Sequence, residues 1–310
     1  MLYTCEKIVM SDGSENFFHR WLPDGEAQFI VLLSHGMTEH AARYADFGSF
    51  LAAQHIALYA EDHRGHGRTA QNARDRGTGD FGQLADKNGF FRVVDDIKEE
   101  AELLHKQYPG KKLFLFGHSF GSFIAQCFIE KYAGLIDGAI LCGTAGPRAI
   151  VHVGKAMAGI IRMCKGGKHI SPLLEHLSFS SYNDNWLTRD EAVIKKYAED
   201  PWSGFHCCVG FYHDMFSGLC YTHASRHLRR IPHRLPIFLI AGSDDPVGSY
   251  GETVSKLSSI YKANGVQDVL LKLYPGARHE LLNEINRDEV KADILSWLLR
   301  HAPPPLLKQE

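Results

Sequence analysis

Short apolar runs, each followed by an amphipathic stretch, recur along this chain. Residues 29–34 read FIVLLS and precede helical spacing over 43–53. Further runs stand at 56–61 (IALYAE), 113–116 (LFLF), 138–142 (GAILC), 236–241 (PIFLIA) and 269–274 (VLLKLY). Helical spacing recurs over 93–107, 119–132, 251–264 and 287–300, while the stretch after residue 61 reads as loop. Strands alternating with helices predict a mostly parallel sheet with helices on both faces. Near the start, 6–10 and 16–22 are split by Ser11-Asp12-Gly13, which predicts an antiparallel hairpin.

One segment breaks the rhythm. Between 143 and about 230 no run has comparable strand character. Ile150, Val153, Met157, Ile160 and Ile161 follow helical spacing, as do Phe205, Cys208, Val209, Tyr212, Met215, Phe216 and Leu219. The expected organisation is a core over 1–146 and 228–301, a helical insertion over 147–227, and a proline-rich, disordered tail over 302–310. The strands flanking the insertion are expected to pair as neighbours.

Composition narrows the function classes. A net charge of -2 does not suit a phosphate backbone as main partner, which excludes nucleic acid. No apolar run reaches the eighteen residues of a spanning helix, and MLYTCEKIVMSDGSE lacks a charged-then-apolar leader. Seven cysteines occur without a C-x-x-C pair. Reduced thiols and a cytoplasmic location are the plain expectation.

Between the run at 113–116 and the following helix stands Gly117-His118-Ser119-Phe120-Gly121. A nucleophilic serine at a strand-to-helix elbow sits in a strained conformation and needs small neighbours. The helix after it aims free N–H groups at charge developing near the hydroxyl. The plainer alternative is Ser119 as an ordinary N-cap. A serine hydroxyl attacks only when a base takes its proton. On such an elbow the partners follow in the order acid, then histidine, on loops after later strands. Gly242-Ser243-Asp244-Asp245 and Gly276-Ala277-Arg278-His279 fit. His279 is the expected base. Asp245 is the preferred acid and Asp244 the fallback. His118 is expected to point away, and His35, His40, His63 and His66 to scaffold loops. Two backbone donors, the N–H groups of Phe120 and Met37, are expected to form an oxyanion hole.

Other signals carry less. Gly77 to Gly82 spells G-x-G-x-x-G, but no strand precedes it and no amphipathic helix follows, so a flexible loop is expected. His63 and His66 lack a third metal ligand nearby. No metal and no organic cofactor is expected.

With these residues in place, the chain resembles an α/β-hydrolase, and more narrowly the monoacylglycerol lipase and lysophospholipase group of serine hydrolases. His35-Gly36-x-x-Glu39-His40, Asp62-His63-Arg64-Gly65-His66-Gly67, the serine elbow, and the Asp245 and His279 loops carry the resemblance, which spans roughly 29–300. It supports Asp245 over Asp244. Phe120-Gly121-Ser122 and Arg68-Thr69 depart from the group's usual Met-Gly-Gly and x-Ser. The resemblance implies that 147–227 is a cap over the strand ends. It also implies hydrolysis of a small acyl ester, a monoacylglycerol or lysophospholipid, through an acyl-enzyme. The cap's apolar stripes would pack on the core by default. Lining an acyl tunnel, or transient contact with a membrane or micelle, are the functional uses. Short-chain esterase, proline-releasing aminopeptidase and silent ligand-binding protein are the alternatives. The aminopeptidase needs an acidic cap group, and Glu175, Asp184, Asp190 and Glu191 are in the right segment. Sequence leaves the oligomeric state open.

Overall fold

The computed structural model describes residues 1–179, 182 and 185–302. The tail from 303 and the cap candidate Asp184 lie outside the described residues. The chain opens with a hairpin of β1 (Leu2–Val9) and β2 (Glu15–Leu22), then runs through β3 (Ile30–Ser34), α1 (Ala45–Ala53), β4 (Ala57–Asp62), α2 (Gly67–Asp75) and α3 (Gly89–Gln107). Next come β5 (Leu113–His118), α4 (Phe120–Lys131) and β6 (Gly138–Cys142). Five helices follow without an intervening named strand: α5 (Ile150–Lys165), α6 (Pro172–Phe179), α7 (Glu191–Glu199), α8 (Val209–Thr222) and α9 (Ser225–Leu228). The chain closes with β7 (Ile237–Gly242), α10 (Glu252–Ala263), β8 (Val269–Tyr274) and α11 (Arg287–His301).

The eight strands form one sheet in the order β1-β2-β4-β3-β5-β6-β7-β8. The β1–β2 and β2–β4 pairs are antiparallel; the rest are parallel. As expected, β6 and β7 pair directly despite the insertion between them.

Alternation along the strands feeds two cores. Ile30, Leu32, Leu113, Leu115, Ala139 and Leu141 pack with α3, α4 and α10. Val31, Leu33, Phe114, Phe116, Ile140 and Cys142 pack on the other face with α1 and α11, through Phe47, Leu51, Ile294 and Trp297. Every residue of β3 to β7 is buried, because parallel strands covered on both faces have no solvent side. Register brings Ser34 beside Gly117 and His118 beside Cys142, so the C-terminal ends of β3, β5 and β6 open at one level.

One stretch differs from the sequence expectation. Residues 67–75, read as loop, form α2. Its buried face is only Gly67, Thr69 and Ala70, too small and polar to make an apolar stripe. Thr69 anchors it, its Oγ1 donating to the Asp62 carbonyl and accepting from the Phe17 N–H.

Candidate active site

Ser119 sits between β5 and α4 with φ 52° and ψ −119°, a conformation L residues rarely hold. The flanking glycines answer to close approach. A Cβ on Gly117 would lie 2.5 Å from the Gly121 carbonyl oxygen, and one on Gly121 would lie 2.0 Å from the Ser34 carbonyl oxygen. Helix α4 therefore crosses β5 and β3 at a distance only glycine permits. The Ser119 N–H donates to the Cys142 carbonyl at 2.9 Å, which ties the elbow to β6.

His279 lies in the loop after β8, and Asp245 in the loop after β7. The two loops are laced together, with the Asp244 N–H donating to the Ala277 carbonyl at 2.9 Å. His279 Nδ1 meets Asp245 Oδ2 at 2.9 Å, both side chains buried. The other Asp245 oxygen accepts from the Val247 N–H. Asp244 bonds instead to the Ser243 hydroxyl at the surface. Burial opposes charge on His279, but the Asp245 carboxylate outweighs it and raises the pKa above the ordinary histidine value. His279 Nε2 is buried and has no hydrogen-bond partner among the described residues. No bond joins it to the Ser119 hydroxyl in this geometry; such bonds commonly tighten only when substrate is in place.

His118 does not point away as expected. Its ring centroid lies 4.9 Å from that of His279. Burial, and then the neighbouring His279, depress its pKa to about 3, so it stays neutral. The remaining histidines do scaffold loops. The His63 N–H donates to His35 Nε2 at 3.0 Å, so the His35 proton sits on Nδ1, which donates to the Gly36 carbonyl at 2.8 Å. His63 in turn bonds the Ser34 hydroxyl and Glu61. The Met37 N–H belongs to the same peptide as the Gly36 carbonyl and points the opposite way. Neither it nor the Phe120 N–H has an acceptor among the described residues.

Sequence reasoning missed the ion network behind these loops. Arg43 bridges Glu39 at 2.6 Å and Glu280 at 2.8 Å. Glu39 Oε1 also accepts from the Gly36 N–H at 2.5 Å and the Tyr44 hydroxyl at 2.7 Å. Burial resists charge on Glu280, yet Arg43 overcomes it and holds that carboxyl down at about 2. Glu39 goes the other way: burial wins over Arg43, and its pKa is raised. The available signal was spacing, with Arg43 four residues after Glu39 and Glu280 next to His279.

A cavity of about 530 Å³ opens above the strand ends. Ser119, His279, Met37 and Phe120 are among the core residues that line it, and Ile150, Met157, Leu177, Trp186, Met215 and Phe216 are among those from the insertion. Trp186 closes over the histidine, its ring 5.0 Å from that of His279, and its carbonyl accepts from the His279 N–H. Among the described residues no group of His, Cys, Asp and Glu is set to hold a metal ion.

Known proteins match this arrangement along most of the chain. The chain is 27% identical to human monoglyceride lipase over 289 residues, covering 90% of this chain and 84% of that protein. It is also 27% identical to the monoacylglycerol lipase of Mycolicibacterium smegmatis, covering 91% of each. A thermostable carboxyl esterase from Bacillus coagulans, solved with glycerol, superposes with a TM-score of 0.85 at 26% identity, covering 97% of this chain and 99% of that one. The model of the serine aminopeptidase S33 family matches residues 25–286; the chain belongs to that family and is an α/β-hydrolase of the lipase and esterase type.

Proposed function

We propose that this hydrolase cleaves single-chain acylglycerol esters through an acyl-enzyme on Ser119. His279 takes the serine proton and returns it to the leaving alcohol, and Asp245 holds the imidazole with its proton on Nδ1. The N–H groups of Met37 and Phe120 receive the oxyanion, and water then releases the acid. One observation carries the assignment: Asp245 occupies His279 Nδ1 at 2.9 Å, leaving Nε2 as the only ring nitrogen free for the serine proton.

On this reading 147–227 is a cap that shapes the substrate site. The apolar cavity wall supports an acyl chain rather than a short or charged group. The amine-binding alternative finds little support. Among the described residues lining the cavity the carboxylates are Glu39 and Glu280, and both are held by Arg43. Glu175 pairs with His206, and Asp190 caps α7 and pairs with Arg287. Exposed apolar residues Ile150, Val153 and Leu177, which line the cavity, suit transient contact with a membrane or micelle, as does exposed Leu173 on α6. No helix among the described residues is long and apolar enough to cross a membrane. All seven cysteines are free thiols, which suits the reducing cytoplasm.

The test is a panel of monoacylglycerols, lysophospholipids, p-nitrophenyl esters and aminoacyl amides, each read against Ser119→Ala. Monoacylglycerol cleavage that vanishes in the variant is expected. Turnover of amides in preference to every ester would overturn the substrate reading.

A further inference from the structure

The loop that presents the Met37 N–H is strained, and the insertion grips it. Thr38, the next residue, has φ 54°. For a β-branched residue this is an outlier, and it persists only where the surroundings over-determine it. The grip comes from α7 and the chain just after it. Tyr197 Oη donates to the Thr38 carbonyl at 3.0 Å and lies 3.0 Å from Thr38 Oγ1. The Gly204 N–H reaches both the Thr38 carbonyl at 2.9 Å and Tyr197 Oη at 3.1 Å. Two residues on, His40 Nε2 meets Asp200 Oδ2 at 2.7 Å, and Asp200 is itself fixed by the Trp202 N–H and the Ser203 hydroxyl.

Counting protons on the phenol decides its part. Tyr197 Oη has one proton, given to the Thr38 carbonyl. Its acceptor capacity goes to Thr38 Oγ1–H and the Gly204 N–H. Nothing is left over for a substrate, although the ring lines the cavity. On the core side the same loop is held by the His35 Nδ1–H on the Gly36 carbonyl and by Glu39 on the Gly36 N–H. Residues 36–38 are thus clamped between core and insertion, with the Met37 N–H between the two jaws.

We propose that Tyr197 is a positioning residue for the oxyanion hole: the docked cap holds Thr38 in its strained conformation and so aims the Met37 N–H. The cap then contributes to the chemical step as well as to substrate enclosure. This rests on the reading of Met37 as an oxyanion donor. Asp200, through His40, is the second tether.

The test uses p-nitrophenyl butyrate, whose short acyl chain makes little use of the cap. Tyr197→Phe should lower kcat about tenfold with KM within about twofold, a partial version of removing an oxyanion donor outright. Affinity for butylboronic acid, which forms a tetrahedral adduct on the serine, should fall by a similar factor. Adding Thr38→Gly should recover at least about threefold of the lost kcat, because glycine takes positive φ without strain. Should Tyr197→Phe melt near the assay temperature, Asp200→Asn is read by the same three measurements. Wild-type kcat and boronate affinity in the variant, a rise in KM alone, or no recovery on adding Thr38→Gly would each overturn the proposal. Absence of any Ser119-dependent turnover in the wild-type protein would instead sink the hydrolytic assignment of that serine, so the two failures are distinguishable.

Discussion

The core that carries the sheet and the insertion have similar proportions of apolar residues but solve different problems. From β3 to β7 every strand residue is buried, and the loops at the strand ends are cross-bonded. In the insertion, α5 buries only Ala158, α6 only Leu174 and α7 nothing, while α8 lies deeper with Val209, Phe211 and Tyr212. Met163 is 81% exposed, so the outer face of α5 is an apolar surface left open to its surroundings. The difference teaches a division of labour. Chemistry needs fixed distances, so its groups stand on the rigid part. On the function proposed above, substrate selection falls to the thinly buried part, whose residues line much of the cavity. The two meet at Thr38 and His40, where insertion residues bond to a core loop.

The sharpest way to break this comparison is at the elbow. Ser119→Ala should lower esterase kcat by roughly 10⁴-fold or more, abolish fluorophosphonate labelling and leave the thermal midpoint within a few degrees. Labelling that survives would move the nucleophile elsewhere and reopen the reading of a silent ligand-binding protein. Asp245→Asn should cost about 10⁴-fold in kcat by favouring the wrong imidazole tautomer, and Asp244→Asn only a few-fold. The reverse result would reassign the acid.

The pH profile sharpens the same point. His279 must be neutral to accept a proton, and, against the opposing effect of burial, the Asp245 carboxylate raises its pKa above the ordinary histidine value. Activity should therefore be lost as pH falls through a midpoint above 6.5 in a kcat/KM profile, and the midpoint should move down when Asp245 loses its charge. A flat acid limb would remove His279 from the role of base.

Arg43→Met tests the rigid side through stability. It strands two buried carboxylates, and a loss of about 3–5 kcal/mol in urea unfolding is expected. The effect is pH-dependent. Glu280 is held down at about 2 in the folded protein, so its contribution is present above the unfolded value near 4.5 and fades as pH falls toward 2. The smallest effect is expected on the adaptable side. Met157→Ala at the cavity wall should shift the acyl-chain-length profile by up to about tenfold. Met163→Ser on the outer face should change stability by no more than about 0.5 kcal/mol. A larger loss of stability at Met163 would mean that this face is not free.

How much was legible follows from where each signal is generated. The runs at 138–142 and 269–274 became β6 and β8 without a shift of boundary; burial on both faces writes the continuous apolar run of β6, while β8, at the sheet edge, is fully buried only at Val269 and Tyr274. Helix α2 escaped because Gly67–Asp75 has no apolar face to announce it. The start of β1 was read at residue 6 rather than at Leu2, since an edge strand with exposed residues carries little pattern. The serine elbow and the two later loops were visible as local motifs. The Arg43 bridge was not, because its partners Glu39 and Glu280 are 241 positions apart in sequence.

By itself the sequence determined the alternation of strand and helix, the place of the insertion, and which serine, acid and histidine stand at strand ends. Those depend on near neighbours, where periodicity and turn chemistry act. Tertiary structure alone decided that His118 packs on the His279 ring and that Tyr197 reaches Thr38, and it set the 2.9 Å approach of Asp245, the acid the sequence already preferred, to that histidine. The physical reason is that hydrogen bonds and ion pairs form across space between loops whose approach is set by the packing of the whole sheet, and no local run of residues encodes that approach.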